Sequence, residues 1–275
     1  MAPAALAVAG LTNLLRGPMQ GAGRDREIRA YWNARINDTR LSDDPPGSAG
    51  YYAAIEAYRL EKSDYLPRVV NHAAWAGQEV LEIGCGLGLD VVSFARSGAR
   101  VTGVDIAAAA IDFAREYVGY AGVPAALLEA DGARLPFPDD RFDLVYCMGV
   151  LPFAQDPGAI VAEAWRVLRP GGQAIFMVYN RRSWMNALAV LTGRRDGHRD
   201  APGFHLYTRA EFERLLAPFP EQRVFAERFP AASARHRGIA ATIMNRALVP
   251  ALRALPDLWW RPYGWHLLAF CRKAA

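Results

Sequence analysis

Residues 80–90 read VLEIGCGLGLD, an apolar run that breaks into glycines at three alternate positions, Gly84, Gly86 and Gly88. Glycine lets backbone come close to a ligand and reach positive φ, so a loop of this kind after a strand can cradle a cofactor. A dinucleotide fingerprint requires G-x-G-x-x-G, and here Leu89 stands where the third glycine would be. Glu82, a carboxylate just before the loop, disfavours phosphate and suits an ammonium or sulfonium group. Asp105 ends the run RVTGVD and can accept both hydroxyls of a ribose; no arginine beside it invites a 2′-phosphate. It could equally cap the helix that follows. Asp131, followed by small Gly132 and Ala133, can take an exocyclic amine of adenine or serve as a turn residue.

These residues need a scaffold that brings strand ends together. Strand patterns at residues 79–83, 100–104, 125–130, 142–147 and 173–178 alternate with helical patterns at 90–96, 107–118 and 157–168. The last helix opens with Asp156-Pro157, a cap and a first-turn proline, and stops before Pro170-Gly171-Gly172. The alternation predicts an α/β Rossmann-like, doubly wound sheet whose ligands sit beyond the C-terminal strand ends. Helices are expected at residues 25–36 and 51–70, divided by the turn cluster DDPPGS and covering the ligand edge. Residues 181–261 read as mostly helical with a loop at 193–204, and GWHLLAFCR reads as a final strand. The expected division is a helical cover over residues 1–72, a core over 73–180, and a pocket-forming segment with the final strands over 181–275.

Together with GVL after the fourth strand and VLRPGG before the fifth, the three sites give a pattern over residues 79–178 that resembles the class I S-adenosylmethionine-dependent methyltransferases. The branch it is most similar to includes ubiquinone and menaquinone biosynthesis methyltransferases. The resemblance implies a seven-stranded sheet, mostly parallel with an antiparallel last pair, and S-adenosylmethionine as cofactor with S-adenosylhomocysteine as product. It implies that Gly84, Gly86 and Gly88, with Glu82 and Cys85 of the same loop, line the methionine and ribose. Asp105 with Ile106 would hold the ribose, Asp131, Gly132 and Ala133 the adenine, and Met148, Gly149 and Val150 would pack along the cofactor. YWN at 31–33 resembles the aromatic segment that closes over the cofactor, which makes Tyr31 a candidate cofactor contact and catalytic residue. HLYTRAEF and GWHLLAFCRK resemble the branch's ending. Many relatives carry His-His after GVL, whereas this chain has Pro152-Phe153, so a base at that place is absent. Ala107 replaces a usual small hydroxyl residue, leaving the helix cap to Asp105.

Methyl transfer gains much from positioning alone, so a base is dispensable for some acceptors. If one is needed, His205, before the expected helix start at Tyr207-Thr208, is the first candidate; His72 and His266 are weaker, the latter expected to be structural. Aromatics expected at the mouth are Tyr31, Trp32, Tyr51, Tyr52 and Phe153, suited to cation–π attraction. Arg59 is expected either to meet the cofactor's carboxylate or to lie on a solvated helix face.

Composition narrows the partners. Three scattered cysteines suggest neither disulfides nor a zinc cluster, and no metal site is expected; a reducing, cytoplasmic compartment fits. The apolar start MAPAALAVAG lacks a basic n-region, and the later apolar stretch around 239–260 is interrupted by Arg246, Pro250, Arg253 and Pro256. Residues 1–180 hold 16 basic against 21 acidic side chains, residues 181–275 16 against 7. The basic part is either a set of solvated faces or an attraction for an anionic substrate, a carrier-bound acid or an anionic membrane surface. The expectation is a methyltransferase with a small-molecule acceptor, in biosynthesis of a secondary metabolite. Its rivals are a quinone-type C-methyltransferase in peripheral membrane contact through Trp259-Trp260-Arg261, and a regulator that binds the cofactor without transfer. No nucleic-acid module or catalytic Asn/Asp-Pro-Pro-Tyr motif is present.

Overall fold

A computed structural model describes residues 22–35, 42–192, 199–229, 242, 244–254, 256 and 261–275. The apolar start, the first half of the loop at 193–204 and Trp259-Trp260 therefore lie outside the described residues. Two helices, α1 (Ala22–Ala34) and α2 (Ala49–Lys62), precede the sheet, with a single-turn α3 (Leu66–Val69) after them. The expected helix over 51–70 is thus two pieces. The chain breaks at Ser63, whose N–H closes the last turn of α2 on Arg59 O, and Pro67 sits in the first turn of α3.

The core alternates β1 (Glu79–Ile83), α4 (Leu89–Arg96), β2 (Arg100–Asp105), α5 (Ala108–Ala121), β3 (Ala125–Glu129), β4 (Phe142–Met148), α6 (Pro157–Val167) and β5 (Leu168–Tyr179). Then come α7 (Trp184–Thr192), α8 (Arg209–Leu215), β6 (Glu221–Glu227), a π-helical turn (Met244–Leu248), α9 (Val249–Arg253) and β7 (His266–Arg272). The seven strands lie in the order β3-β2-β1-β4-β5-β7-β6, with β7 antiparallel to both neighbours. Strand order reverses between β1 and β4, so their C-terminal ends frame the crevice where such sheets bind ligands.

Strand periodicity splits the core into two faces. Leu81, Ile83, Val145 and Cys147 pack with α6 and α8, while Val80, Leu144 and Tyr146 pack with α4 and α5. Fully buried Phe142, Phe176 and Phe212 on the first face and Phe94 on the second each contribute about 2–3 kcal/mol of apolar burial. The α6 start is as expected: the Asp156 side chain accepts from Ala159 N, with Pro157 in the first turn. A reciprocal capping box between Thr208 and Glu211 starts α8. The Pro-Gly-Gly expected to end the helix lies inside β5 but does not pair with β4: the partner of Phe142 is Leu168 and the next pair is Leu144 with Gln173, so residues 169–172 bulge from that ladder, and Gly171 N and Gly172 O bond to Lys273 instead. The stretch after 181 is less helical than expected, because residues 221–227 form a strand. Val224 is buried there and Phe225 stacks on Phe270 of β7 at 5.7 Å.

Candidate functional site

At the end of β1 the chain turns sharply: Gly84 N and Cys85 N both donate to Val104 O of β2. Gly84 has φ +71, and a β-carbon there would lie 2.1 Å from Val150 Cγ2 in the loop after β4. The two loops touch at the switch point, which only a residue without a side chain permits. A β-carbon on Gly86 (φ +51) would instead meet no protein atom within 4 Å, so that face of the loop is open to a ligand. Gly88 is the N-cap of α4 and packs near Ala114.

Asp105, at the end of β2, fixes this loop. Its Oδ2 accepts from Gly86 N and its Oδ1 from Ala107 N, both at 2.9 Å. Burial raises its carboxyl above the ordinary range, against those backbone hydrogen bonds. The expected cap of α5 by Asp105 is therefore corrected. Its oxygens reach residues before the first turn, and Ala109 N donates to Asn33 Oδ1 of α1 at 3.1 Å. Asp131 Oδ1 accepts from Ala133 N at 2.9 Å, so its turn role is real.

These loops open on one cavity of about 360 Å³. Its wall includes Gly84, Gly86, Asp105 and Ile106, then Asp131, Gly132 and Ala133, then Met148, Gly149 and Val150. Arg59 also reaches it. Of the other expected cofactor contacts and bases, Glu82, Cys85, Gly88, Tyr31 and His205 do not. Glu82 shares the face of Val80, opposite Ile83, and its side chain is buried toward α4. Cys85 is buried in the second core, and Gly88 serves the helix. Tyr31 turns outward, donating to Asp200 Oδ1 at 3.0 Å under Arg35, while its neighbour Trp32 lines the cavity. On α1 the lining positions are Asp25, Ile28 and Trp32, one helical stripe, and Tyr31 falls outside it. His205 is exposed, with Nε2 3.4 Å from Arg181 Nη2 and its ring edge-on to Tyr207, and is not part of the wall. Tyr51 and Tyr52 are buried in the second core rather than at the mouth. Phe153 is on the wall, edge-to-face with Trp32 at 5.1 Å and with Tyr179 at 5.9 Å.

Beneath the loop lies a buried charge network. Arg59 Nη2 and Asp90 Oδ2 are 2.5 Å apart. Beside them the Glu82 carboxyl is held well above its usual range, first by burial and then by the Asp90 charge, with Arg59 opposing. One Glu82 oxygen has no hydrogen-bond partner. Glu82 thus acts as a buried, protonation-prone group behind the loop, away from the ligand face.

Several wall residues carried no sequence motif. Tyr179 ends β5 and His266 begins β7, and the two are paired in register. Because β7 runs antiparallel, its first residue must lie at the edge where β5 ends, a signal that strand order alone supplies. His266 Nδ1 is 2.6 Å from Tyr65 Oη and Nε2 is 3.2 Å from Arg228 Nη1. Arg only donates, so Nε2 accepts and Nδ1 carries the proton. Burial, then Arg228, Arg59 and Lys62, hold the imidazole pKa well below its ordinary value, so His266 is neutral. Gln155 on the same wall has a buried Oε1 with no partner, an acceptor left for a ligand donor. Among the described residues no group of three His, Cys, Asp or Glu could hold a metal ion, and no helix is long and apolar enough to cross a membrane.

Residues 81–176 match the family described as a methyltransferase domain. The chain is 34% identical over 149 residues to the ubiquinone biosynthesis O-methyltransferase of Alkalilimnicola ehrlichii, covering 54% of this chain and 58% of that protein. It is 36% identical over 127 residues to the protein of the same name from Aromatoleum aromaticum, covering 46% and 54%. The chain thus spans little more than half the length of these curated relatives. Among solved structures, magnesium protoporphyrin IX methyltransferase from Synechocystis, with bound S-adenosylhomocysteine, superposes with TM-score 0.58 at 16% identity over 90% of this chain and 98% of that one. A SAM-dependent methyltransferase from Aquifex aeolicus gives 0.52 at 16% identity over 78% and 92%. At such identities the likeness shows the fold. Residues 81–176 thus match a methyltransferase domain family, and this half of the chain is similar to S-adenosylmethionine-dependent methyltransferases, whose fold it shares.

Proposed function

We propose that the protein transfers the methyl group of S-adenosylmethionine to a small-molecule acceptor bound in the same cavity. The observation that carries this reading is the row of strand ends on one wall: Asp131 after β3, Asp105 after β2, the open Gly86 face after β1 and Gly149 after β4. A nucleoside laid along that edge would find the Asp105 carboxylate at its ribose hydroxyls, and Asp131 with the unpartnered Gln155 Oε1 at its adenine amine. The Gly84–Gly86 backbone would lie under the methionine. Arg59 would face the methionine carboxylate, although its Nη2 is already paired with Asp90. When bound, the cofactor supplies an electrophilic methyl on a sulfonium.

The chain's own share is positioning. Trp32, Phe153 and Tyr179 form aromatic walls that hold a planar acceptor and exclude water, and α1 covers the cavity through Asp25, Ile28 and Trp32. Among the described residues the histidine on the wall is His266, whose two ring nitrogens are both engaged, so this reading assigns the reaction to near-attack geometry rather than to that histidine as base. The similarity to ubiquinone biosynthesis O-methyltransferases supports oxygen as the acceptor atom. A hydroxylated aromatic intermediate of biosynthesis, in the cytoplasm, is the acceptor this reading takes. The test is a calorimetric titration with S-adenosylhomocysteine. The wild type binds one equivalent at micromolar order, about −8 kcal/mol. Asp105→Ala loses that binding; unchanged affinity in this variant overturns the site assignment.

A further inference from the structure

Along the sheet edge, charge changes sign. Asp131 and Asp105 stand over β3 and β2, whereas Lys62, Ser63 and His266 line the cavity beside β7, with Arg228 behind His266 at the end of β6. Arg59 reaches the wall too, but Asp90 neutralises it. Asp156, also on the wall, is committed to the α6 N-terminus through Ala159 N.

Arg228 is unusual in two respects. It is a residue with a β-carbon in the left-handed region, at φ +60, a conformation that persists only where surroundings over-determine it. Here its carbonyl accepts from both Trp184 Nε1 and Trp265 N, at 3.0 and 3.1 Å. That anchorage turns the guanidinium onto His266 Nε2. No ion pair among the described residues involves it. Its neighbour Glu227 pairs instead with Arg68, at 4.0 Å. Burial draws the guanidinium pKa below its ordinary value, and the nearest charge effects are tyrosines and a second cation, Arg59. Arg228 is partly buried behind the wall residue His266, and a cation so placed without a carboxylate partner among the described residues can be completed by an anionic ligand.

We propose that the acceptor bears a carboxylate, which docks against Lys62, Ser63 and His266 under the charge of Arg228. The proposal rests on the methyltransferase reading and names the chemical class of its acceptor: a planar aromatic, packed against the wall that Phe153 and Tyr179 form together, with a hydroxyl toward Gly149 and an anionic group toward β7. His266 then acts as a positioning residue: its Nε2 accepts from Arg228 and so holds that cation beside the cavity wall, with no N–H of its own left for the ligand. The cations cluster at the strand ends beyond Gly149, on the far side of the β1–β4 switch point from the ribose and adenine acids, which is where an acceptor in line with the methyl must lie.

The experiment uses the full chain loaded with S-adenosylhomocysteine and two probes of the same shape, para-hydroxybenzoate and para-hydroxybenzamide, in calorimetric titrations. The benzoate binds the wild type at least about tenfold more tightly than the amide, the scale of one charge-assisted hydrogen bond. In Arg228→Gln, and independently in Lys62→Gln should the first variant fail to fold, the preference falls to within about threefold. Affinity for S-adenosylhomocysteine stays within about threefold in both variants. A wild-type complex with no preference, including one that binds neither probe, overturns the proposal. So does a preference that survives both substitutions. Loss of S-adenosylhomocysteine binding in the Arg228 variant assigns the cation to the cofactor's own carboxylate and also overturns it. Absence of S-adenosylhomocysteine binding by the wild type refutes the methyltransferase reading itself, a distinct result.

Discussion

Gly84→Ala concentrates the local physics of the site in one methyl group. The new β-carbon sits at φ +71 and 2.1 Å from Val150 Cγ2, where an ordinary contact is close to 4 Å. Left-handed backbone costs an alanine about 1–2 kcal/mol, and overpacking adds about 1–3 kcal/mol because Val150 is β-branched and stiff at χ1. The sum, about 2–5 kcal/mol, is large against a typical total stability of 5–15 kcal/mol. Removing Cγ2 separates the two costs, since the next Val150 atom, Cβ, is 3.5 Å from the added carbon, an ordinary contact. Val150→Ala alone loses about 1 kcal/mol of partly buried surface. The double variant should then carry the backbone cost and the Val150 loss but not the overpacking, giving a favourable coupling of about 1–3 kcal/mol. Urea unfolding of the four proteins of this cycle, each without cofactor, measures it. Additivity within about 0.5 kcal/mol refutes the claim that the loops after β1 and β4 meet at these two residues.

Asp105→Asn keeps shape but loses the charge that holds Gly86 N and Ala107 N and would accept the ribose. Affinity for S-adenosylhomocysteine should fall about 10²–10³-fold, from two charge-assisted bonds, as calorimetry would read; less than about threefold counts against it. Because burial raises the Asp105 pKa, wild-type affinity should begin to weaken at a pH above the ordinary aspartate range as acidification protonates it, a loss that Asp105→Asn lacks. Glu82 has a raised folded pKa, so the folded state binds its proton first and stability falls as pH rises from the unfolded value through the folded one. Glu82→Gln should therefore melt higher than wild type near about pH 8, with the gap closing near about pH 4.5, and a constant gap across that range contradicts the burial. Arg59→Met leaves Asp90 buried and unpaired and should cost about 3–5 kcal/mol in denaturant unfolding, much of it recovered by adding Asp90→Leu; no recovery would mean the pair is not a unit.

Strand β1 was legible to the residue because Glu79–Ile83 combines an apolar run with a glycine stop, and the places of Asp105 and Asp131 on the wall were legible because both follow strand patterns that end at the same sheet edge. The same strand also held a warning against Glu82: with period two, it shares the face of Val80 and not that of Ile83, so it could not join the wall that Ile83 and Gly84 form. Trp32 in place of Tyr31 follows from helical period in the same way, through Asp25 and Ile28. Strand β6 hid in a charged segment, EQRVFAE, whose pairing depends on Phe270 and Leu268 far along the chain. His205 was favoured for its place before a helix, yet a helix start says nothing of which side faces the cavity. Tyr179 and Arg228 carried no motif, and His266 was read only as a structural residue of the last strand, because their meeting is made by strand order and one left-handed residue.

A crystal structure of the protein with S-adenosylhomocysteine tests the central claim most directly. The ribose hydroxyls should lie within hydrogen-bonding distance of Asp105, the adenine amine beside Asp131 and Gln155, and the sulfur between Gly86 and Gly149. A ligand bound outside this cavity, or one whose ribose lies away from Asp105, would contradict the account.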